Sequence, residues 1–313
     1  MKDFKDKVAF VTGGGAGLGL GLAKVFSEAG CKIVIADIRQ DHLNEAVEYF
    51  NSKKAEVHPI MLDVTDREAY AMAADDVEEV FGKPPELLFN NAGVNTFGPA
   101  EATTYDDWDW VLGVNLYGVI NGITTFLPRM IKAGRGGHIY TTSSAGGFSG
   151  IPGALPYCAS KAALINMMES YRLALKHYGI SVSVCCPEAI DSKISEAIYT
   201  RPEHLKDTGY VEDEKVVEAL SHVYATGIDP VELARYIKDR IEKGIFYIIP
   251  PGTGRALEPR FKEMISSIPQ ASPKDAEEIK RISEGFSHMK DVGGIRPELT
   301  WIKSAPPRQM PQD

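Results

Sequence analysis

Three residues between positions 144 and 161 have the types and spacing for acid–base chemistry. They are Ser144, Tyr157 and Lys161, in the stretch SAGGFSGIPGALPYCASK. Tyr157 and Lys161 stand four apart in a segment of helical composition, so they share one helix face. A phenol titrates near pKa ~10, and a neighbouring ammonium favours the phenolate and lowers that value. The pair is a candidate proton acceptor and donor near neutral pH. Alone, the spacing is a weak signal, because a surface helix turn with a packed tyrosine is spelled the same way.

A second constellation lies at the N-terminus. Residues 8–11 (VAFV) read as a buried strand, and Thr12-Gly-Gly-Gly-Ala-Gly-Leu-Gly19 follows at once, leading into a helical pattern that stops at Gly30. Strand, glycine-rich turn and helix together make a phosphate cradle. Gly13, Gly15, Gly17 and Gly19 let the backbone turn tightly and, with Leu18 in the same turn, approach a pyrophosphate, and the helix that follows offers free N–H groups and a positive dipole end. The spacing is T-G-x-x-x-G-x-G, not G-x-G-x-x-G. Asp37 ends a second strand about 20 residues on, where a carboxylate accepts from an adenosine ribose diol and repels a 2′-phosphate. Non-basic Ala16 agrees with NAD. Arg39 is either a 2′-phosphate contact, which would admit NADP, or a solvated surface residue.

These residues need a frame. Asp41 is expected to cap a helix to residue 50, and 57–62 reads as a third strand. Asp63-Val64 after it is placed to read an adenine edge, or Asp63 or Thr65 caps the next helix, 67–81. A fourth strand at 86–89 opens into Asn90-Asn91-Ala92-Gly93, small and amide residues suited to a cofactor crevice. Residues 105–130 form a helix apolar nearly all round, expected to pack on the sheet and on a partner subunit. Asn115 within it is a core amide or a proton-relay member. A fifth strand at 138–142 leads to Ser144, a helix at 155–178 carries Tyr157 and Lys161, and a sixth strand at 181–186 ends at Pro187. Residues 193–227 suit a mobile lid. A helix at 230–243 and a strand at 245–249 finish the frame. Beyond residue 250, helices are expected at 255–268 and 275–290, with a disordered tail from 305. Helices alternating with uniformly apolar strands give an α/β, doubly wound parallel sheet.

Composition narrows the functions. The 313 residues carry a formal charge of −9 with no basic block, which argues against nucleic acid and anionic membrane surfaces. No apolar run is expected to reach membrane-spanning length. The four cysteines, Cys31, Cys158, Cys185 and Cys186, lack zinc-site spacing, so no metal is expected; with no signal peptide they read as reduced cytoplasmic thiols.

The ordered set T12-G-G-G-A-G-L-G19, Asp63-Val64, N90-N-A-G93, Asn115, Ser144, Tyr157-x-x-x-Lys161 and the Pro187 loop resembles the classical short-chain dehydrogenase/reductase family over about residues 5–250. The resemblance implies a seven-stranded Rossmann sheet with helices on both faces, here followed by a C-terminal helical extension. It implies a dehydrogenase domain over 1–252, with a substrate lid at about 188–228, and an extension over 253–313. It further implies Tyr157 as acid/base and Lys161 as the group that lowers its pKa and binds the nicotinamide ribose. Ser144 would orient the substrate oxygen and Asn115 hold a relay water. Pro187, Ile190 and Ser192 would face the nicotinamide carboxamide, and a homodimer or homotetramer is expected.

The family usually has Pro-Gly after the sixth strand, where this chain has Pro187-Glu188. Glu188 either meets a polar group of the substrate or lies on the surface. More narrowly, MKDFKDKVAFVTGG, TTYDDWDWVLGVNLYGVINGITTFLPRMI, CCPEAI and YIIPP are similar to the Cα-dehydrogenases of bacterial lignin β-aryl ether catabolism, which oxidise a benzylic alcohol to a ketone with NAD. A small-molecule alcohol is then the partner. The pocket wall is expected from Asn95, Phe97, Phe148, Ile194, Ile198 and Tyr199. The rivals are an enzyme for another bulky or amino alcohol, NADP-linked through Arg39, and a non-catalytic dinucleotide-binding regulator or assembly protein.

Overall fold

A computed structural model of the chain describes residues 1, 3–269, 274, 275, 277, 278, 280 and 281. Seven parallel strands form one sheet in the order β3-β2-β1-β4-β5-β6-β7. They are β1 (Val8–Thr12), β2 (Lys32–Asp37), β3 (Val57–Met61), β4 (Leu87–Asn90), β5 (Gly137–Thr142), β6 (Ile180–Cys185) and β7 (Tyr247–Ile248). Strand side chains alternate between faces, and both faces are apolar. Phe10, Val34, Leu88 and Ile139 pack on α3 (Arg67–Phe81), α5 (Gly118–Ala133) and α6 (Leu155–Ala174). Val11, Ile33, Phe89 and Tyr140 pack on α1 (Gly17–Glu28), α2 (Gln40–Ser52) and α8 (Pro230–Glu242). The expected doubly wound α/β fold is therefore present. Strand order reverses between β1 and β4, and in such sheets the crevice at that reversal is the ligand site.

Several local expectations are corrected. Asp66, not Asp63 or Thr65, caps α3 by accepting from the Glu68 and Ala69 N–H groups. Asp63 instead accepts from the Thr65 N–H and hydroxyl. Asp41 lies inside the first turn of α2 and pairs with Arg39, the residue at the cap position. β7 keeps two residues of the five expected. The helix carrying Tyr157 ends at Ala174, followed by a 3₁₀ turn at Lys176–Tyr178.

The apolar run after residue 105 is α4 (Tyr105–Leu112), a π turn (Gly113–Tyr117) and α5. By length and composition, Tyr105–Ala133 is apolar enough to cross a membrane, contrary to the sequence expectation. In the fold it is a core helix on one face only. Val111, Val119, Ile123 and Phe126 are buried, while Tyr105 and Tyr117 are exposed.

Residues 193–227, expected as a lid, fold largely into short helical segments. They hold 3₁₀ segments at Lys193–Thr200 and Glu203–Leu205 and a helix, α7 (Glu214–Tyr224), capped by Asp213. Arg201, its side chain 1% exposed, stands 2.9 Å from Asp107 of α4 and 3.0 Å from Glu212, and it lies over the Trp110 ring. α9 (Pro251–Ser266) starts four residues earlier than expected and buries Thr253 and Leu257. Most of the helix expected over 275–290, and the tail from 305, lie outside the described residues.

Candidate active site

The glycine turn leaves β1 with Gly13 and Gly17 at positive φ, +61° and +48°, a region that glycine occupies without steric cost. A Cβ on Gly19 would sit 1.9 Å from the Gly13 carbonyl oxygen, so α1 can approach the turn only because that position is glycine. α1 begins after Ala16 with no side-chain cap, leaving its first N–H groups for a ligand. Asp37, 8% exposed, accepts from the Gly15 N–H through Oδ2 and from the Arg39 N–H through Oδ1, each at 3.0 Å. Each carboxylate oxygen keeps acceptor capacity facing the crevice. Thr12 Oγ accepts from the Asn91 and Ala92 N–H groups, and the Thr142 hydroxyl donates to Asn91 Oδ1. These bonds tie together the loops after β1, β4 and β5. Close-approach glycines, an uncapped helix start and a turn-braced carboxylate fit a dinucleotide.

At the other end of the crevice, β5 delivers Ser144 and α6 delivers Tyr157 and Lys161. Ser144 Oγ accepts from the Gly146 N–H at 3.0 Å, which fixes its rotamer. Lys161, 4% exposed, donates to the Thr142 carbonyl at 3.0 Å, with its Nζ 5.4 Å from the centre of the Tyr157 ring. Burial pushes the Lys161 ammonium down to about 8. It also pushes the Tyr157 phenol well above its ordinary value, while the Ser144 hydroxyl pulls the other way. The simple expectation of a phenol lowered by lysine therefore does not hold in the free chain, where desolvation is the larger effect.

Asn115 sits in the π turn, where an N–H to C=O bond from Gly118 to Gly113 skips five residues. Such bulges are frequent at functional sites because they re-aim one side chain. Its amide is fully buried, accepting from the Val94 N–H at 2.8 Å and donating to the Val94 carbonyl and Ser160 Oγ. A Cβ on Gly93 would lie 3.3 Å from Asn115 Oδ1 and 3.5 Å from Lys161 Nζ, so these polar atoms converge on space that a glycine keeps open.

One cavity of about 660 Å³ joins both ends. It brings together Gly13, Gly17, Leu18, Asp37, Arg39, Asp63, Val64, Asn91, Ala92, Gly93, Ser144, Tyr157, Lys161, Pro187, Glu188, Ile190, Ser192 and Ile194. Gly15 and Gly19 support the turn from behind, and Asn115 lies beneath the floor. Glu188 is exposed at the cavity wall, its N–H donating to Thr253 Oγ of α9.

The expected pocket wall is largely displaced. Asn95, Phe97 and Ile198 line a separate cavity of about 10 Å³. Tyr199 is 60% exposed, because Ser195 and Ala197 take the inward side of its 3₁₀ segment. Phe148 turns away to stack on Phe261 and Tyr247, with Arg260 donating to its carbonyl. The substrate end is lined instead by Trp110, Val114, Ala197, Leu205 and Tyr224. Trp110 and Val114 stand four apart, a spacing readable in the sequence; Tyr224 arrives on α7 from 80 residues beyond Ser144 with no local signal.

A family model described as short chain dehydrogenase matches residues 7–203. The chain is a short-chain dehydrogenase. It is an oxidoreductase acting on alcohols and binds a nicotinamide dinucleotide. The dehydrogenase is 54% identical to the C alpha-dehydrogenase of Sphingobium sp. (strain NBRC 103272 / SYK-6), over 86% of this chain and 88% of that one. Among solved structures, the apo form of LigD from Sphingobium sp. strain SYK-6 superposes with a TM-score of 0.72 at 48% identity, covering 86% of this chain and 100% of the other. A short-chain dehydrogenase/reductase from Burkholderia phymatum in complex with NAD gives 0.79 at 30% identity, covering 87% and 99%.

Proposed function

We propose that this dehydrogenase oxidises a benzylic, aryl ether-type secondary alcohol to a ketone with NAD, using Tyr157 as the base. The observation that carries the reading is the convergence of Ser144, Tyr157 and Lys161 at the end of a crevice walled by Trp110, Leu205 and Tyr224. An aryl group suits that wall, and the name of the similar C alpha-dehydrogenase points the same way. Asp37 supports NAD over NADP.

Ser144 holds the substrate hydroxyl in line with Tyr157. Tyr157 accepts its proton, and Lys161 is the positive group that favours the phenolate. When bound, the dinucleotide supplies the hydride acceptor and a second positive charge beside the phenol. The proton leaves through Lys161 toward Asn115 and the space at Gly93. General-base help of this kind contributes roughly 10²–10⁴ in rate. The free thiols suit a cytoplasmic enzyme. The region 188–228 closes the substrate end, and the extension from 253 braces it through Glu188 and Thr253.

The test measures initial rates with NAD and NADP on a β-aryl ether benzylic alcohol and on unrelated secondary alcohols. Turnover of the aryl ether with NAD supports the reading. Activity confined to other alcohols removes the aryl ether substrate and keeps the chemistry. Tyr157→Phe is expected to lower kcat by about 10³-fold or more, while NADH binding, read by fluorescence, persists; full activity in that variant removes Tyr157 from the mechanism.

A further inference from the structure

The adenosine end of the crevice contains an ion pair that the catalytic chemistry does not require. Arg39 lies just past β2, two residues after Asp37. Its Nη1 donates to Oε2 of Glu196 at 2.7 Å, joining positions 157 residues apart. Glu196 belongs to the 3₁₀ segment Lys193–Thr200 that opens the lid. Both side chains line the main cavity and are about a quarter exposed, 25% and 22%. The pair therefore crosses the mouth of the crevice from the sheet to the lid. The lid segment is seated here, since a Cβ on Gly17 would meet Ser192 at 2.9 Å.

Carboxylates already hold the two cations around this pair. Glu196 Oε1 also takes Lys193 at 3.0 Å, so one carboxylate holds both lysine and arginine side chains that line this end. The other edge of the Arg39 guanidinium faces Asp41, with Nε donating at 3.1 Å. A guanidinium binds phosphate through its planar fork of N–H donors. Here both edges of the fork are already occupied by carboxylates. Burial pulls the Glu196 carboxyl up, but the hydrogen bonds and charges of Lys193 and Arg39 together outweigh it and hold the carboxyl below its ordinary range. It is thus a charged partner at neutral pH.

We propose that Glu196 is a cofactor-selecting residue: by holding Arg39 across the crevice, it denies a 2′-phosphate the cation it would need beside Asp37. The idea rests on the NAD reading above and deepens it. Asp37 repels the phosphate from the sheet side, and Glu196 withdraws the compensating arginine from the lid side. Because Glu196 sits on the lid, selection operates when that segment is docked.

The experiment is binding, not turnover. Dissociation constants for NADH and NADPH are measured by fluorescence titration at one fixed ionic strength for the wild type, Glu196→Gln and the double variant Glu196→Gln/Arg39→Ala. Glutamine keeps the size of the side chain and removes its charge. The expected result is about tenfold tighter NADPH binding in Glu196→Gln, the scale of one charge-assisted contact, with NADH changed by no more than about twofold. Adding Arg39→Ala is expected to remove the gain. An unchanged NADPH-to-NADH ratio in Glu196→Gln, with the wild type preferring NADH, overturns the role of Glu196 and leaves the NAD reading standing. A gain that survives loss of Arg39 also overturns it. Equal binding of the two cofactors by the wild type overturns the NAD reading itself.

Discussion

Lys161 keeps a charged group almost sealed from solvent, with the Thr142 backbone carbonyl as hydrogen-bond acceptor. Its pKa falls from 10.5 to about 8, so below pH 8 the folded chain carries a buried charge that the unfolded chain holds in water. Between about 8 and 10.5 the unfolded state binds more protons, and folding stability from this group rises with pH. Lys161→Met is accordingly expected to raise stability at pH 7 by on the order of 1–3 kcal/mol while turnover collapses. Its advantage should shrink as pH climbs through 8 to 10. Denaturant unfolding of both proteins across that range checks the sign; a variant less stable at pH 7 would show that the Thr142 contact outweighs desolvation. The convergence of Ser144, Tyr157 and Lys161 on one cavity was legible because they stand at short spacing in the chain. The upward push on Tyr157 was not, since it depends on burial that spacing does not reveal.

Among the elements, the region 193–227 holds the contacts that its sequence shows least. Its polar composition gave no sign that Arg201 is buried between Asp107 and Glu212. Asp107 Oδ2 accepts from the Thr104 N–H in a capping box at the start of α4. Its Oδ1 meets Arg201 as a charge contact rather than an aligned hydrogen bond. Removing one partner of a buried pair leaves the other charge stranded, at a cost of about 3–5 kcal/mol. Arg201→Met is expected to lower the melting temperature and to raise KM for the alcohol more than it changes NADH affinity. An unaltered KM would detach this lock from the substrate end. The sequence could not show it, because Asp107 and Arg201 are 94 positions apart and each reads as an ordinary surface charge. The sheet was legible, since each strand is an apolar run with helices on either side. Caps were less so: Asp63, Thr65 and Asp66 are all good capping residues, and only the backbone path selects Asp66.

For the molecule as a whole, the outer side of α4 and α5 is the apolar helix face that the sheet does not cover. Tyr105 and Tyr117 are exposed there, and Leu112, Leu116 and Ile120 are half-buried. A homodimer or homotetramer covering this face is expected in solution, and light scattering on the purified protein would read its mass. A monomer at micromolar concentration would contradict the expectation.

The same apolar run also bears on how the chain is made. Its buried face rests on α6 and on strands such as β5, which follow it in the sequence. About 40 residues must be added after Ala133 before α6 is complete, roughly 2–8 s at ordinary synthesis rates. During that interval a segment with the length and apolarity of a membrane span has only earlier elements, such as α3 and β4, to pack on. Part of its apolar face therefore stays uncovered until β5 and α6 are made, an interval in which a chaperone that binds apolar helices has a target.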